Sequence, residues 1–430
     1  MTNRALLPLL LLTLAGCASK AAETTTTGDC DARAKVDGAC PGVTTEAITT
    51  DGVACTTTIA VATPADESKI AGAAAGSCIA LSAGAFGALT LPAGVSLIGK
   101  GASSSTVAGI RVTPGEAATI RGLSVSGGGI AVSGKGSLTI ESVHVTGAGK
   151  FPGISATDTN LTISKSTVEL GGGFGVASLC KTDCATARPS LSLRRVLVRD
   201  NKSVGVWAHG VNTVIDGVQV SATHAENFLY GRGFEFAEGS VKATHIAALN
   251  NEDVGIYIDN AVAELTSFSV ANNIRGVQLQ AIPAGGAKLD DFVIDNNAAL
   301  GLGITKGSLG IIVQGGLIAN TRPMKVPVDI GGIQEVGDGI NWLGGSEVTV
   351  SSSVKIQSSA RRAVIIESTS KGKFDGTLSG GDETRGIIVQ GGLEPSMPAT
   401  LSVASGVKSE VLTKDKAMPV AVAMAASKSP

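Results

Sequence analysis

The chain has 430 residues, of which 57 are Gly, 43% are hydrophobic and only 3% are aromatic; its formal net charge is −2. This is too apolar for a disordered chain, and with no basic cluster it excludes a surface built for nucleic acid or an anionic membrane face. So few large rings beside so much Val, Ile, Leu and Ala point to a narrow core of stacked aliphatic side chains.

The N-terminus has a short basic n-region ending at Arg4, an apolar run from Ala5 to Leu14, and then Ala15, Gly16 and Cys17. The run is far too short to span a bilayer and reads as a signal peptide, residues 1–16. Leu14, Ala15, Gly16 and Cys17 resemble the lipobox of bacterial lipoproteins. The resemblance implies cleavage before Cys17, diacylation of its thiol and membrane partnership through that lipid. Ala18 stands where an Asp would favour retention at the inner membrane, so the expected address is the outer membrane. Residues 17–28, rich in Ala and Thr, then form a flexible tether.

Six cysteines remain, Cys30, Cys40, Cys55, Cys78, Cys180 and Cys184, and an even count in an exported chain predicts disulfides. Cys180 and Cys184 would close a short loop, with the other four pairing near the N-terminus. Zinc at Cys180 and Cys184 would need a second pair of ligands that the neighbourhood lacks. Residues 29–58 hold three of the cysteines and read as a stapled N-terminal segment.

From residue 59 to 412 a repeat dominates. A Gly followed by an apolar strand recurs at Gly153, Gly175, Gly205, Gly233, Gly255, Gly276 and Gly301, with spacings of 22, 30, 28, 22, 21 and 25. Each unit carries a second alternating strand, as at Leu161, Ile163 and Val168 or Leu191, Leu193 and Val198. The period is 2, and no stretch is long enough for a helical crossover. Such a unit is one coil of a parallel β-solenoid, each coil stacking on the last at about 4.8 Å. Asn stands four residues before the Gly at Asn201, Asn251, Asn272 and Asn297, which reads as a structural turn ladder. About a dozen coils are expected. Residues 305–362, which contain Pro323 and Pro327, keep the pattern least well and predict a long loop or irregular coil. Residues 413–430 read as a loose tail.

The repeat resembles the pectin-lyase-like superfamily of right-handed parallel β-helices. So does the opening, in which Thr63, Pro64 and Asp66 begin a helical patch ending at Gly76 and Leu89 to Gly99 follows as a first coil. The fold class is therefore all-β, with a short N-terminal helix capping the open sheet edge.

Strand register assigns faces. The strands after the repeat Gly residues place Trp207, Glu235, Tyr257 and Gln278 in one outward column, and His209, Ala237, Asp259 and Gln280 in the next. Flat rings beside acids and amides are what a polysaccharide-binding groove needs. Trp207 and Tyr257 would stand roughly 10 Å apart, two coils of stacking. Glu235 and Asp259, roughly 8 Å apart, would suit an inverting acid/base pair. The motifs that polygalacturonases carry are not matched: Ala208, His209 and Gly210 precede Asp290 and Asp291, the reverse order. Asp290, Asp291 and Asp295 form an acidic patch that could take calcium as a cofactor. His144, His224 and His245 read as isolated surface residues, and Arg232, Arg275 and Arg385, each just before a strand Gly, as solvated turn positions. The function expected is a lipid-anchored, non-enzymatic envelope protein, glycan-binding or structural and adhesive. The alternative is a polysaccharide lyase or glycoside hydrolase of the pectin-lyase type.

Overall fold

The computed structural model describes residues 30–43, 53–226, 230–329 and 331–421. The signal peptide, Cys17 and the tether lie outside the described residues, as does the end of the tail after Ala421.

The alternating segments stack as parallel strands into three long sheets, A, B and C, around one lumen. Sheet A is built from the strands that follow the repeat Gly residues. Its rungs include Val176–Leu179, Val204–His209, Arg232–Ala237, Val254–Asp259, Arg275–Gln280, Leu300–Thr305, Asp338–Trp342, Arg362–Glu367 and Ile387–Gly392. Sheets B and C share six long strands: Asn160–Glu169, Ser190–Arg199, Asn212–Ser221, Ser240–Leu249, Val262–Ala271 and Ala287–Asp295. Each turns one corner at a residue of positive φ: Lys165, Arg195, Gly217, His245, Ser267 and Asp291 in turn. The corner explains the interval between the paired apolar positions and the later Val in the repeat. Leu161 and Ile163 fill the lumen from sheet B, and Val168 fills it from sheet C. Sheet B stacks fifteen strands from Thr57–Val61 to Leu401–Val403, more coils than the dozen expected.

Lumen columns such as Ile163, Leu193, Ile215, Ala243, Leu265 and Leu289 are at most 1% exposed. Each large aliphatic buried this way contributes about 1.5–3 kcal/mol. The repeat Gly is required by close approach. A Cβ on Gly205 would lie 2.2 Å from Val220 Cγ1 in the lumen and 2.8 Å from the Gly233 carbonyl of the next coil.

The turn before sheet A carries two Asn roles. Asn250, Asn272 and Asn296 take the left-handed turn, at φ of 57°, 61° and 53°. The residue after each points inward, so the buried ladder runs Asn251, Asn273, Asn297, with Asn201 at the equivalent turn of an earlier coil. Asn273 Oδ1 accepts from the Asn251 N–H at 2.9 Å, and Asn297 Oδ1 accepts from the Asn273 N–H at 3.0 Å. The ladder residue is thus Asn273, not Asn272. Asn272 belongs to an exposed pair in which Asn296 donates to it.

The capping element is a short 3-10 helix, Pro64–Lys69, that ends at Ile70 and not at Gly76; Ile70 and Ala73 drop onto the open end of the core. Asp66 accepts from the Thr63 N–H at 3.1 Å, the capping contact that the sequence implies. The disulfides are Cys30–Cys40, Cys55–Cys78 and Cys180–Cys184. The Cys30–Cys40 loop is a clasp docked on the corner between sheets B and C, midway along the solenoid. Arg33 pairs with Asp291 at 2.9 Å, and the Gly42 N–H donates to the Arg195 carbonyl at 3.0 Å. Gly217 makes room for it, since a Cβ there would lie 2.3 Å from Val36 Cγ2. Within 305–362 the coils continue, and one antiparallel hairpin is inserted, Met324–Pro327 with Ile333–Val336.

Candidate functional site

Sheet A places the expected column as read: Trp207, Glu235, Tyr257 and Gln278 are register partners in sequence, as are Ala237 with Asp259 and Asp259 with Gln280. All lie outside the lumen cluster, which takes Val206, Phe234, Ile256 and Val277 from the same strands. The correction concerns exposure. Trp207 is 1% exposed, Glu235 and Tyr257 are 0%, and Gln278 and Gln280 are 2% and 1%. These rings are not open stacking platforms. Phe174 stacks on Trp207 with centroids 5.2 Å apart, and Leu179 and Tyr230 pack on the same cluster.

A second correction supplies the chemistry of the face. Arg232 and Arg275 are 0% and 4% exposed, not solvated turn residues. The strand kinks at each repeat Gly, so the residue before it leaves the lumen. Val204 accordingly groups with Trp207 outside, while Val206 joins the lumen core. Arg232 Nη1 pairs with Glu235 Oε2 at 2.7 Å, and its guanidinium lies 4.0 Å over the Tyr257 ring and 5.1 Å over Tyr230. Asp253 lies between the two arginines, 3.6 Å from Arg232 Nε and 3.4 Å from Arg275 Nη1. Gln278 Nε2 donates to Thr305 Oγ1 at 3.2 Å.

Burial pushes the Tyr257 phenol up, and the Asp259 charge adds to it against the opposing Arg232. Burial likewise raises the half-buried Asp259 carboxyl, against the hydrogen bond from Gln280. His209 Nε2 reaches Glu238 at 3.2 Å at the border of the face. Asp253, Tyr230 and Phe174 were not singled out from the sequence, and Arg232 and Arg275 were assigned to solvated turns, because strict alternation hides the kink at the Gly. The Arg before the Gly in two coils separated by one is visible in the sequence, but its burial is not.

The remaining candidates are dispersed. Asp290 pairs with Lys288 at 3.2 Å and accepts from Gln314, Asp291 pairs with Arg33, and Asp295 accepts from Asn320. Among the described residues no three His, Cys, Asp or Glu side chains gather as a metal site, and Asp290, Asp291 and Asp295 each hold a different partner. The histidines are paired rather than isolated: His144 with Glu169 at 2.8 Å, His224 with Glu252 at 3.0 Å and His245 with Asp216 at 2.9 Å. Arg385 is half-exposed and holds Asp382 at 3.3 Å. On sheet B a shallow groove of about 430 Å³ runs past Val214, Lys242, Val262 and Glu264, its Lys242 already paired with Glu264 at 3.1 Å.

A family model described as a right-handed beta helix region matches residues 108–273. No protein of curated function matches the chain. Among solved structures, the chain is similar to the A-module of mannuronan C-5 epimerase AlgE4 from Azotobacter vinelandii, at 13% identity over 82% of this chain and 91% of that one, with a TM-score of 0.32. It is similar also to a mannuronic acid specific polysaccharide family 6 lyase from human gut microbiota, at 10% identity over 83% and 91%, with a TM-score of 0.26. Pectate lyase Pel9A gives 8% identity over 84% and 78%, with a TM-score of 0.21. The family model and the stacked parallel rungs together make the described chain a right-handed parallel β-helix.

Proposed function

We propose that this is an exported, lipid-anchored envelope protein whose sheet A face binds a glycan without turning it over. One observation carries the reading. On that face Trp207 Nε1, Arg275 Nε and Gln280 Oε1 are buried, with no hydrogen-bond partner among the described residues. Buried polar atoms are normally satisfied, and spare donors and acceptors beside rings are what sugar hydroxyls require. A structural explanation fits poorly, since the same outward column is apolar at Ile365 and Ile388. A buried ion network is no better for stability than aliphatic packing. The Arg232 pair also favours binding over catalysis, because Glu235 is held at 2.7 Å and fully buried.

The alternative, a polysaccharide lyase or hydrolase, rests on Asp259, whose burial-raised carboxyl is the kind a general acid uses. The test is a glycan panel probed with the protein and with Arg275→Gln, followed by product assays on each hit. Binding lost in Arg275→Gln, with no product from the parent protein, supports the proposal. Unsaturated or reducing-end product supports the alternative.

A further inference from the structure

The outer face of a solenoid sheet is open to solvent unless something covers it. On sheet A the outward column runs on from Gln278 through Gly303 and Asn341 to Ile365 and Ile388. Asn341 is 1% exposed, and Ile365 and Ile388 are 0%, although all three lie outside the lumen core. The chain's own end lies beside this column. After the last rung, Ser409–Thr413, and a turn at Lys414–Lys416, the backbone returns over the sheet. The Gln390 side chain, two residues beyond Ile388, clamps Met418 twice: its Nε2 donates to the Met418 carbonyl at 2.9 Å, and its Oε1 accepts from the Met418 N–H at 2.8 Å.

Two residues further the segment meets the inserted hairpin. The Asp329 N–H donates to the Val420 carbonyl at 3.1 Å, and the Val420 N–H donates to Asp329 Oδ1 at 3.0 Å. Ala421 packs with Val326, Val328 and Val336 against Ala299 and Ile274. Ile274 immediately precedes Arg275, and Ala299 precedes the neighbouring rung. The joint therefore ends beside the face that holds Arg275, Gln278 and Gln280.

We propose that residues 417–421 are a strap that latches the hairpin across the C-terminal half of sheet A, and that glycan and strap compete for this face. The proposal rests on the glycan reading for its ligand and on geometry alone for its cover. Among the described residues the strap is held by four hydrogen bonds and the packing of Ala421, an attachment that can open locally without unrolling the core. The latch joins two segments far apart in sequence, so release of either frees the face.

The test uses the full chain carrying Cys17→Ser, so that the thiol in an added Ile365→Cys is its single free thiol once the three disulfides have formed. Its reaction with Ellman's reagent is compared with that of the same chain ended after Lys416, with circular dichroism and melting as controls on folding. Labelling at least tenfold faster in the shortened chain, with glycans of the panel bound several-fold more tightly, is the expected result. Equal labelling in the two chains overturns the strap as a cover, and faster labelling with unchanged glycan affinity overturns the competition. If neither chain binds any glycan, the proposed function falls, while labelling still decides the cover. Should Ile365→Cys fail to fold, amide exchange at Met418 and Val420 in the unaltered protein replaces it. Protection at both supports the strap, and free exchange at both overturns it.

Discussion

Asn273→Ala removes the centre of the buried amide ladder. Asn273 Oδ1 accepts from both the backbone N–H and the Nδ2 of Asn251, at 2.9 and 3.0 Å. Truncation leaves both donors buried, since Asn251 is 2% exposed, and each unsatisfied donor costs about 1–3 kcal/mol. The expected loss is about 2–5 kcal/mol. Asn272→Gly is the control one residue away: it keeps the left-handed turn and loses one exposed bond from Asn296, for under about 0.5 kcal/mol. Coils of a solenoid couple mainly to their neighbours, so the assay pairs the urea midpoint with amide exchange over residues 246–256. Exchange there rises sharply in Asn273→Ala and stays near the parent level in Asn272→Gly. Equal losses in the two variants, within about 0.5 kcal/mol, would refute the assignment of the two Asn roles.

Other consequences follow from single contacts. The His144 hydrogen bond, aided by Arg199 and opposed by burial, holds Glu169 down at about 2 from the usual 4.5. A depressed carboxylate stabilises the fold above its ordinary range and ceases to do so as pH falls from about 5 towards 2. Glu169→Gln should thus cost about 1–2 kcal/mol at pH 7, allowing for solvent screening, and almost nothing near pH 2 in urea titrations. Replacing Cys180 and Cys184 by Ala opens a loop of sequence separation 4 and should lower stability by about 2 kcal/mol, read as a fall in melting temperature. Gly217→Ala drives a Cβ into Val36 and should free the clasp, seen as faster tryptic cleavage at Arg33 and Lys35; unchanged cleavage would contradict the docking. Cys17→Ser should move the protein from the membrane fraction to the soluble fraction of its host, and continued pelleting with membranes would remove the lipid anchor from the proposal.

The solenoid was legible because its core repeats: Gly before a strand and alternating aliphatics leave little choice of period, and the Cys180–Cys184 loop could be paired by proximity. The Asn phase was legible to within one residue. Asn272 and Asn273 are adjacent and divide between them two roles that the pattern had merged. The sheet A column was read on the correct side of the strand, since Trp207, Glu235 and Tyr257 do stand outside the lumen. Its burial was not legible, because Phe174 and Tyr230, which pack on Trp207, belong to turns that do not repeat. The two buried arginines were hidden by the kink at Gly233 and Gly276, which breaks the alternation on which faces are assigned.

The most direct test of the central claim is glycan binding by the full Cys17→Ser chain, measured by calorimetry on hits from the panel beside Arg275→Gln. The account predicts a saturable complex without product, lost in an Arg275→Gln variant that circular dichroism shows to be folded, although removing one partner of the buried Asp253 pair lowers its melting temperature. Turnover of the glycan by the parent protein, or binding indifferent to Arg275→Gln, would contradict it.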